Sequence, residues 1–128
     1  LGEAVSYVES RGKANAVSSK GATGLMQIMP ATAKDIAKEL GVSKYDLKNP
    51  LTNRIFGEYY LNKMLKEFDG NTELALTAYN QGPARVKNLL KITGGSSLKD
   101  IIHRLGPDGK NYARLVLGKM KKDGYETI

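Results

Sequence analysis

The chain contains no cysteine and a single histidine, His103, among its 128 residues. Without Cys, thiolate catalysis, a disulfide scaffold and a Cys-based zinc site are all excluded. One histidine rules out a multi-His metal site and leaves Ser-His-Asp catalysis only that residue. No cofactor and no metal are therefore expected. No uninterrupted apolar run approaches the ~20 residues that span a bilayer, and no basic segment followed by an apolar one opens the chain. The expectation is a chain with no transmembrane segment. It begins at Leu1 instead of Met, which suggests a processed product or a domain excised from a longer protein, as does the short stretch of eight residues before Glu9. No alternation of period two lasts long enough to demand a sheet, and no internal repeat or linker stands out.

What is present is ordinary for a globular chain: 41% hydrophobic and 26% charged residues. At roughly 100 to 200 residues per domain, this length predicts one domain over residues 1–128, large enough to bury a core without disulfides or metal. Twenty Lys and Arg against thirteen Asp and Glu give a net charge of +7. The excess gathers between Ala84 and Lys122, where ten basic residues face only Asp100 and Asp108. A positive field there attracts polyanions of any kind, though a solvated helical face that only aids solubility fits the same pattern. Tyr112 is the only aromatic in that stretch and no nucleic-acid motif is present, so no nucleic-acid partner is expected.

The punctuation is helical. Pro30 suits the first turn of a helix whose Ala33, Ile36, Ala37 and Leu40 share a side, with Gly41 as its C-terminal cap. Asn49 and Pro50 open a longer helix, where Leu51, Ile55 and Tyr59 form one row beside Phe56, Tyr60, Met64 and Phe68; two apolar rows predict the central helix, closed by Asp69 and Gly70. Thr72 caps a buried helix over Glu73 to Tyr79, and Gln81-Gly82-Pro83 breaks the chain before a helix bearing Val86, Leu89 and Leu90. That helix ends at Gly94-Gly95. Ser97 with Asp100 resembles a capping box for a helix of Leu98, Ile101, Ile102 and Leu105. A Gly106-Pro107-Asp108-Gly109 turn then precedes a helix with Tyr112, Leu115, Val116 and Met120 on one face. Residues Gly12 to Gly24, rich in Gly, Ser, Asn and Ala, read as an irregular loop with room for one short hairpin.

Loops held by helices are where sites form. Glu9 follows Val5 and Val8 near the end of the first helix. Apolar neighbours and the negative end of a helix dipole both favour its neutral form, as a general acid requires. An exposed helix-end glutamate paired with Arg11 or Lys13 is the other reading. Met26 and Met29 can be core filler, Tyr79 a core ring, Asn80 a helix cap and Ser18 a plain loop residue.

The pair Glu9-Ser10, the run Ser18-Ser19-Lys20-Gly21-Ala22-Thr23-Gly24-Leu25-Met26-Gln27-Ile28-Met29-Pro30-Ala31-Thr32-Ala33 and the block Ala78-Tyr79-Asn80-Gln81-Gly82-Pro83 together closely resemble the soluble lytic transglycosylases of bacterial cell walls, within the goose-type lysozyme-like superfamily. The resemblance extends from about Val5 to about Met120. It implies a mainly α, lysozyme-like single domain with a substrate cleft between Glu9 and the Tyr79-Asn80 turn. Glu9 matches the family's catalytic acid. Ser18, Gln27, Met29, Tyr79 and Asn80 match residues of its substrate cleft, with Met26 kept as core. Asp108, four residues before Tyr112, stands where some relatives carry a glutamate that reaches the cleft. Its side chain is one methylene shorter, and its neighbours already suit a turn.

The implied substrate is the MurNAc-β-1,4-GlcNAc bond of peptidoglycan glycan strands, cut with formation of 1,6-anhydro-MurNAc ends. Most glycosidases use two carboxylates; the span from Glu9 to Pro30 supplies one, which serves as acid and then as base if the substrate's own groups do the rest. A muramidase that lets water attack, and a catalytically silent wall-binding module, are the alternatives. Relatives work in the bacterial cell wall or periplasm, in conjugation and secretion machines, and in phage virions. The Ala78-Tyr79-Asn80-Gln81-Gly82 spelling and the run Gly109-Lys110-Asn111-Tyr112-Ala113-Arg114 are most similar to the virion domains, so the expected setting is a larger protein or virion assembly.

Overall fold

The computed structural model describes residues 1–124, and the chain divides into two compact units, Leu1–Tyr60 and the residues from Leu61 onward. Among the described residues the regular structure is helical, with two isolated antiparallel bridges as the only strand pairing. The mainly α expectation holds.

The first unit contains α1 (Gly2–Ser10), α2 (Pro30–Leu40) and the start of α3 (Pro50–Glu67). Pro30 occupies the first turn of α2 and Gly41 takes the left-handed conformation at its end, as the punctuation predicts. Asn49 caps α3, its Oδ1 accepting from the Thr52 N–H at 3.1 Å. The core comprises Val5 of α1, Met26 and Ile28 of the long loop, Ile36 of α2 and Phe56 of α3. Tyr59 of α3 donates its hydroxyl to Glu39 of α2 at 3.0 Å, and the rings of Tyr45 and Phe56 lie 5.1 Å apart.

One of the two apolar rows expected on α3 does not reach the core. Leu51 is 71% and Ile55 52% exposed, whereas Phe56, Leu61, Met64 and Phe68 are buried. The buried stripe runs through Asn53, Phe56, Gly57 and Leu61 at helical spacing, and Leu51 and Ile55 fall off its edge.

In the second unit the most enclosed helix is α4 (Thr72–Gln81), where five consecutive residues from Leu74 to Ala78 are buried between α5 (Pro83–Thr93) and α7 (Pro107–Lys122). Its cap is Asn71, whose side chain accepts from the Leu74 N–H at 3.0 Å, one residue earlier than the expected Thr72. The helix also continues past Tyr79 to Gln81. Only Gly82 separates α4 from α5, and its φ of 92° is a conformation L side chains avoid. α6 is short (Leu98–Ile101) and passes into a 3-10 turn at Ile102–Arg104. Asp100 Oδ2 accepts from the N–H groups of Ser96 and Ser97 at 2.9 and 3.1 Å, as a capping box requires. These two bonds hold the Asp100 carboxyl below the usual carboxylate range.

The turn expected at Gly106-Pro107-Asp108-Gly109 is instead the first turn of α7. Pro107 sits at its N-terminus and Gly109 is buried within it. Proline lacks the amide hydrogen that a first-turn residue cannot use, so it starts the helix where it was expected to end a loop. On the same helix Tyr112, Ala113 and Val116 are buried, but Leu115 is 49% exposed and is not part of the core face.

Candidate functional site

Glu9 is the penultimate residue of α1, half-buried, one residue before the fully enclosed end of the helix at Ser10. Arg11 ends α1 in the left-handed conformation. Its guanidinium turns back onto Tyr7, donating to the hydroxyl at 2.8 Å and lying 4.7 Å from the ring centroid. Arg11 thus caps the helix through Tyr7, and Glu9 remains at the negative end of the α1 dipole.

The chain from Arg11 to Met29 carries no carboxylate and folds back on itself twice. Val17 pairs with Thr23, and Thr23 pairs in turn with Ile28 through two bonds of 2.9 and 3.0 Å. Ser18 is exposed at the tip of the first reversal. Its Oγ accepts from the Ala22 N–H at 3.0 Å, while its backbone N–H donates to Ala22 O at 2.8 Å. The serine therefore has a local task in holding the reversal, with its hydroxyl at the surface.

Gln27 is the more unusual residue. Its φ is 51°, in the left-handed region that only a few per cent of non-glycine residues occupy. Its side-chain Nε2 donates to Ala16 O and Gly24 O, both at 3.0 Å. The Gly24 N–H donates to Ala16 O at 2.8 Å. The amide nitrogen of Gln27 is thus committed to bracing the loop. Met29 leaves the loop with 40% of its surface exposed, and Val17, which the sequence reading did not single out, is 55% exposed. Met26 is fully buried, as expected for core.

In the second unit, Tyr79 and Asn80 occupy the last turn of α4 and are half-buried. Asn80 Oδ1 accepts from Gln81 Nε2 at 2.6 Å, and Gln81 Oε1 accepts from Arg85 Nη1 at 2.7 Å across the Gly82 joint. Gly109 of α7 packs against the Gln81 side chain, where a Cβ would lie 2.9 Å from Gln81 Cδ. The start of α7 is therefore brought beside the end of α4. Asp108, exposed and next to Gly109, shares that corner with Asn80 and Gln81.

The structure thus gathers Ser18, Gln27 and Met29 on one loop of the first unit, and Tyr79, Asn80 and the turn bearing Asp108 at one end of the second. Two features escaped the sequence reading. One is Asn53 of α3, buried to 0% exposure and bonded into the long loop. The other is a groove of about 630 Å³ where Lys110, Arg114 and Lys121 of α7 stand over Leu98, Ile102 and Leu117. Nine of the ten basic residues between Ala84 and Lys122 are exposed, and Lys119 is engaged with Asp123 at 3.0 Å. Among the described residues no three His, Cys, Asp or Glu side chains are placed to hold a metal ion, and no helix is long and apolar enough to cross a membrane.

The family described as Transglycosylase SLT domain matches residues 3–102. The chain is 38% identical over 96 residues to the soluble lytic murein transglycosylase of Salmonella typhimurium and 36% identical to that of Escherichia coli K12, in each case over 72% of the chain. It spans only 15% of the length of those relatives. Among solved structures, the 70 kDa soluble lytic transglycosylase of Escherichia coli superposes with a TM-score of 0.82 at 30% identity, over 95% of this chain and 21% of that one. A 70 kDa soluble lytic transglycosylase in complex with bulgecin A gives 0.84 at 28% identity, over 96% of this chain and 22% of that one. An inactive Glu-to-Gln mutant of lytic transglycosylase Slt from Pseudomonas aeruginosa gives 0.81 at 32%, with the same coverage.

Proposed function

Because this chain belongs to the transglycosylase SLT domain family, we propose that it is the catalytic domain of a peptidoglycan lytic transglycosylase, acting in the bacterial cell wall or periplasm as part of a larger protein. The observation that carries the reading is Glu9 at the end of α1, followed by a braced loop that contains no carboxylate.

In this reading Glu9 is the catalytic acid. Its carboxyl gives its proton to the glycosidic oxygen, and the bond from that oxygen to C1 of MurNAc breaks. The N-acetyl oxygen of the same sugar stabilises the cation developing at C1. Glu9, now a carboxylate, takes the proton of the C6 hydroxyl, and O6 closes onto C1. The products are a GlcNAc with a free 4-hydroxyl and a 1,6-anhydro-MurNAc end; no water is consumed and Glu9 regains its proton. Ser18, Met29, Tyr79, Asn80 and Asp108 are assigned to glycan contact, and Gln27 braces its loop and offers its carbonyl oxygen. In the Pseudomonas relative a Glu-to-Gln exchange accompanies inactivity, which supports assigning the acid role here to the glutamate that opens the motif. Delivery by a phage virion is the reading suggested by the spelling of residues 78–82 and 109–114.

Two measurements test the reading. Glu9→Gln keeps the shape of the side chain and removes the acid, so it is expected to stay folded and lose at least ~10²-fold in wall cleavage, the lower end of what general acid-base catalysis supplies. Mass spectrometry of the digest decides the product: anhydro ends support the transglycosylase, and reducing MurNAc, heavier by one water, makes the protein a muramidase. Release of no muropeptide at all leaves a wall-binding module.

A further inference from the structure

Asn53 is fully enclosed in α3, yet all the bonds of its carboxamide leave that helix. Its Oδ1 accepts from the Met26 N–H at 2.8 Å, and its Nδ2 donates to Thr23 O and to Leu47 O, both at 2.8 Å. Both donor hydrogens are used, and each goes to a different stretch of irregular backbone. Leu47 lies in the connection between α2 and α3; Thr23 precedes the turn of residues 24–27, and Met26 lies within it beside Gln27.

The neighbouring glycines show how closely this contact is built. A Cβ on Gly24, whose φ is 84°, would collide with the Asn53 amide and with Leu47 O. A Cβ on Gly57, one turn along α3 from Asn53, would collide with the Met26 side chain. So α3 meets the loop through a polar pin at Asn53 and a bare helix surface at Gly57, and Met26 fills the space between. Gln27 follows Met26 directly in the chain, and Thr23 is the shared partner of the two bridges that align Ser18 with Met29.

We propose that Asn53 is a positioning residue of the site: by pinning Thr23 and Met26 to α3, it fixes the loop that carries Ser18, Gln27 and Met29 in the conformation that receives the glycan. This rests on the function proposed above. Glu9 lies on α1, outside the pinned segment, so loss of the pin acts on substrate contacts before it acts on the acid.

The test uses Asn53→Asp, which keeps the shape and the acceptor for Met26 but sets a carboxylate against the two carbonyl oxygens of Thr23 and Leu47. The companion is Gly57→Ala, which leaves Asn53 intact and displaces Met26. For each, KM and kcat are measured on a soluble glycan well below the thermal midpoint, and amide hydrogen exchange is followed residue by residue. The expected result is a KM raised about tenfold or more, with kcat changed less than threefold, and faster exchange at Met26 and Ile28 but not in α4 or α7. If either variant folds with the exchange pattern altered but KM at the wild-type value, the pin is structural only and the proposal falls. If exchange at Met26 and Ile28 is also unchanged in both, the pin does not hold the loop. If Asn53→Asp does not fold, Gly57→Ala carries both readouts. Wild-type protein that cleaves no glycan refutes the proposed function instead, while the exchange result still reports on the pin.

Discussion

Gln27 combines a left-handed backbone with two side-chain bonds to Ala16 O and Gly24 O, and these contributions can be separated by a pair of substitutions. Gln27→Ala removes both bonds and keeps a Cβ at a φ of 51°. Each neutral hydrogen bond contributes about 0.5 to 1.5 kcal/mol net, so the loss is about 1 to 3 kcal/mol. Gln27→Gly loses the same bonds but also relieves the left-handed strain, which costs an L residue roughly 1 to 2 kcal/mol. Against that, glycine loses about 0.4 to 1 kcal/mol through the greater freedom of its unfolded chain. The glycine variant is therefore expected to be the more stable of the two by up to about 1.6 kcal/mol, the reverse of the usual order for these residues. At this length 1 kcal/mol moves the thermal midpoint by roughly 3 to 5 °C, which circular dichroism at 222 nm resolves. An alanine variant as stable as the glycine one, or more so, would refute the left-handed backbone at Gln27. Wall cleavage measured in parallel, well below both midpoints, separates bracing from glycan contact. If only the brace matters, Gln27→Gly retains more activity than Gln27→Ala; if the carbonyl oxygen touches the sugar, both fall together.

Three further outcomes are expected. The Asp100 carboxyl titrates lower in the folded protein than in the unfolded chain, so its contribution is present above the unfolded value near 3.8 and is lost as pH falls through the folded one; the stability gap between wild type and Asp100→Asn should close on acidification below about pH 4, and a gap that widens would contradict the cap. If the exposed basic residues past Ala84 draw the protein onto anionic walls, raising salt until the Debye length falls from ~10 to ~3 Å should slow wall binding and barely change cleavage of a short soluble glycan, whereas equal sensitivity for both substrates would assign the charge to the site itself or to solubility. Gly118 lies inside α7 with open space beside it, so Gly118→Ala should raise stability by about 0.5 to 1 kcal/mol, read as a higher thermal midpoint, and a lower one would mean the space is occupied.

How much of this was legible beforehand depends on which forces left a mark in the residue order. Pro30 and Gly41 bound α2 where backbone chemistry says they should, and the box of Ser97 and Asp100 forms because its signal is local. The capping of α4 by Asn71 in place of Thr72 is a contest between adjacent residues that both accept amide hydrogens, and only geometry decides it. Leu51, Ile55 and Leu115 misled because periodicity registers apolar residues without saying which of two rows finds a partner. Asn53 was missed for the converse reason: counting apolar positions passes over a polar one, and the three backbone groups that make its burial tolerable come from residues up to 30 positions away. Nothing in the sequence announces the left-handed Gln27. The candidate site residues Glu9, Ser18, Gln27, Met29, Tyr79 and Asn80 were picked out through family resemblance, while the bracing task of Gln27 was visible only in three dimensions.

The joint at Gly82 makes α4 and α5 a single mechanical part. A connection of one residue has two torsions and no slack, and Arg85 spans it to reach Gln81, which in turn holds Asn80. With so short a joint, any change in the direction of α5 must be taken up at Gly82 itself or in the last turn of α4. An anion that captures the Arg85 guanidinium also removes the partner of Gln81 Oε1 and frees that side chain to turn.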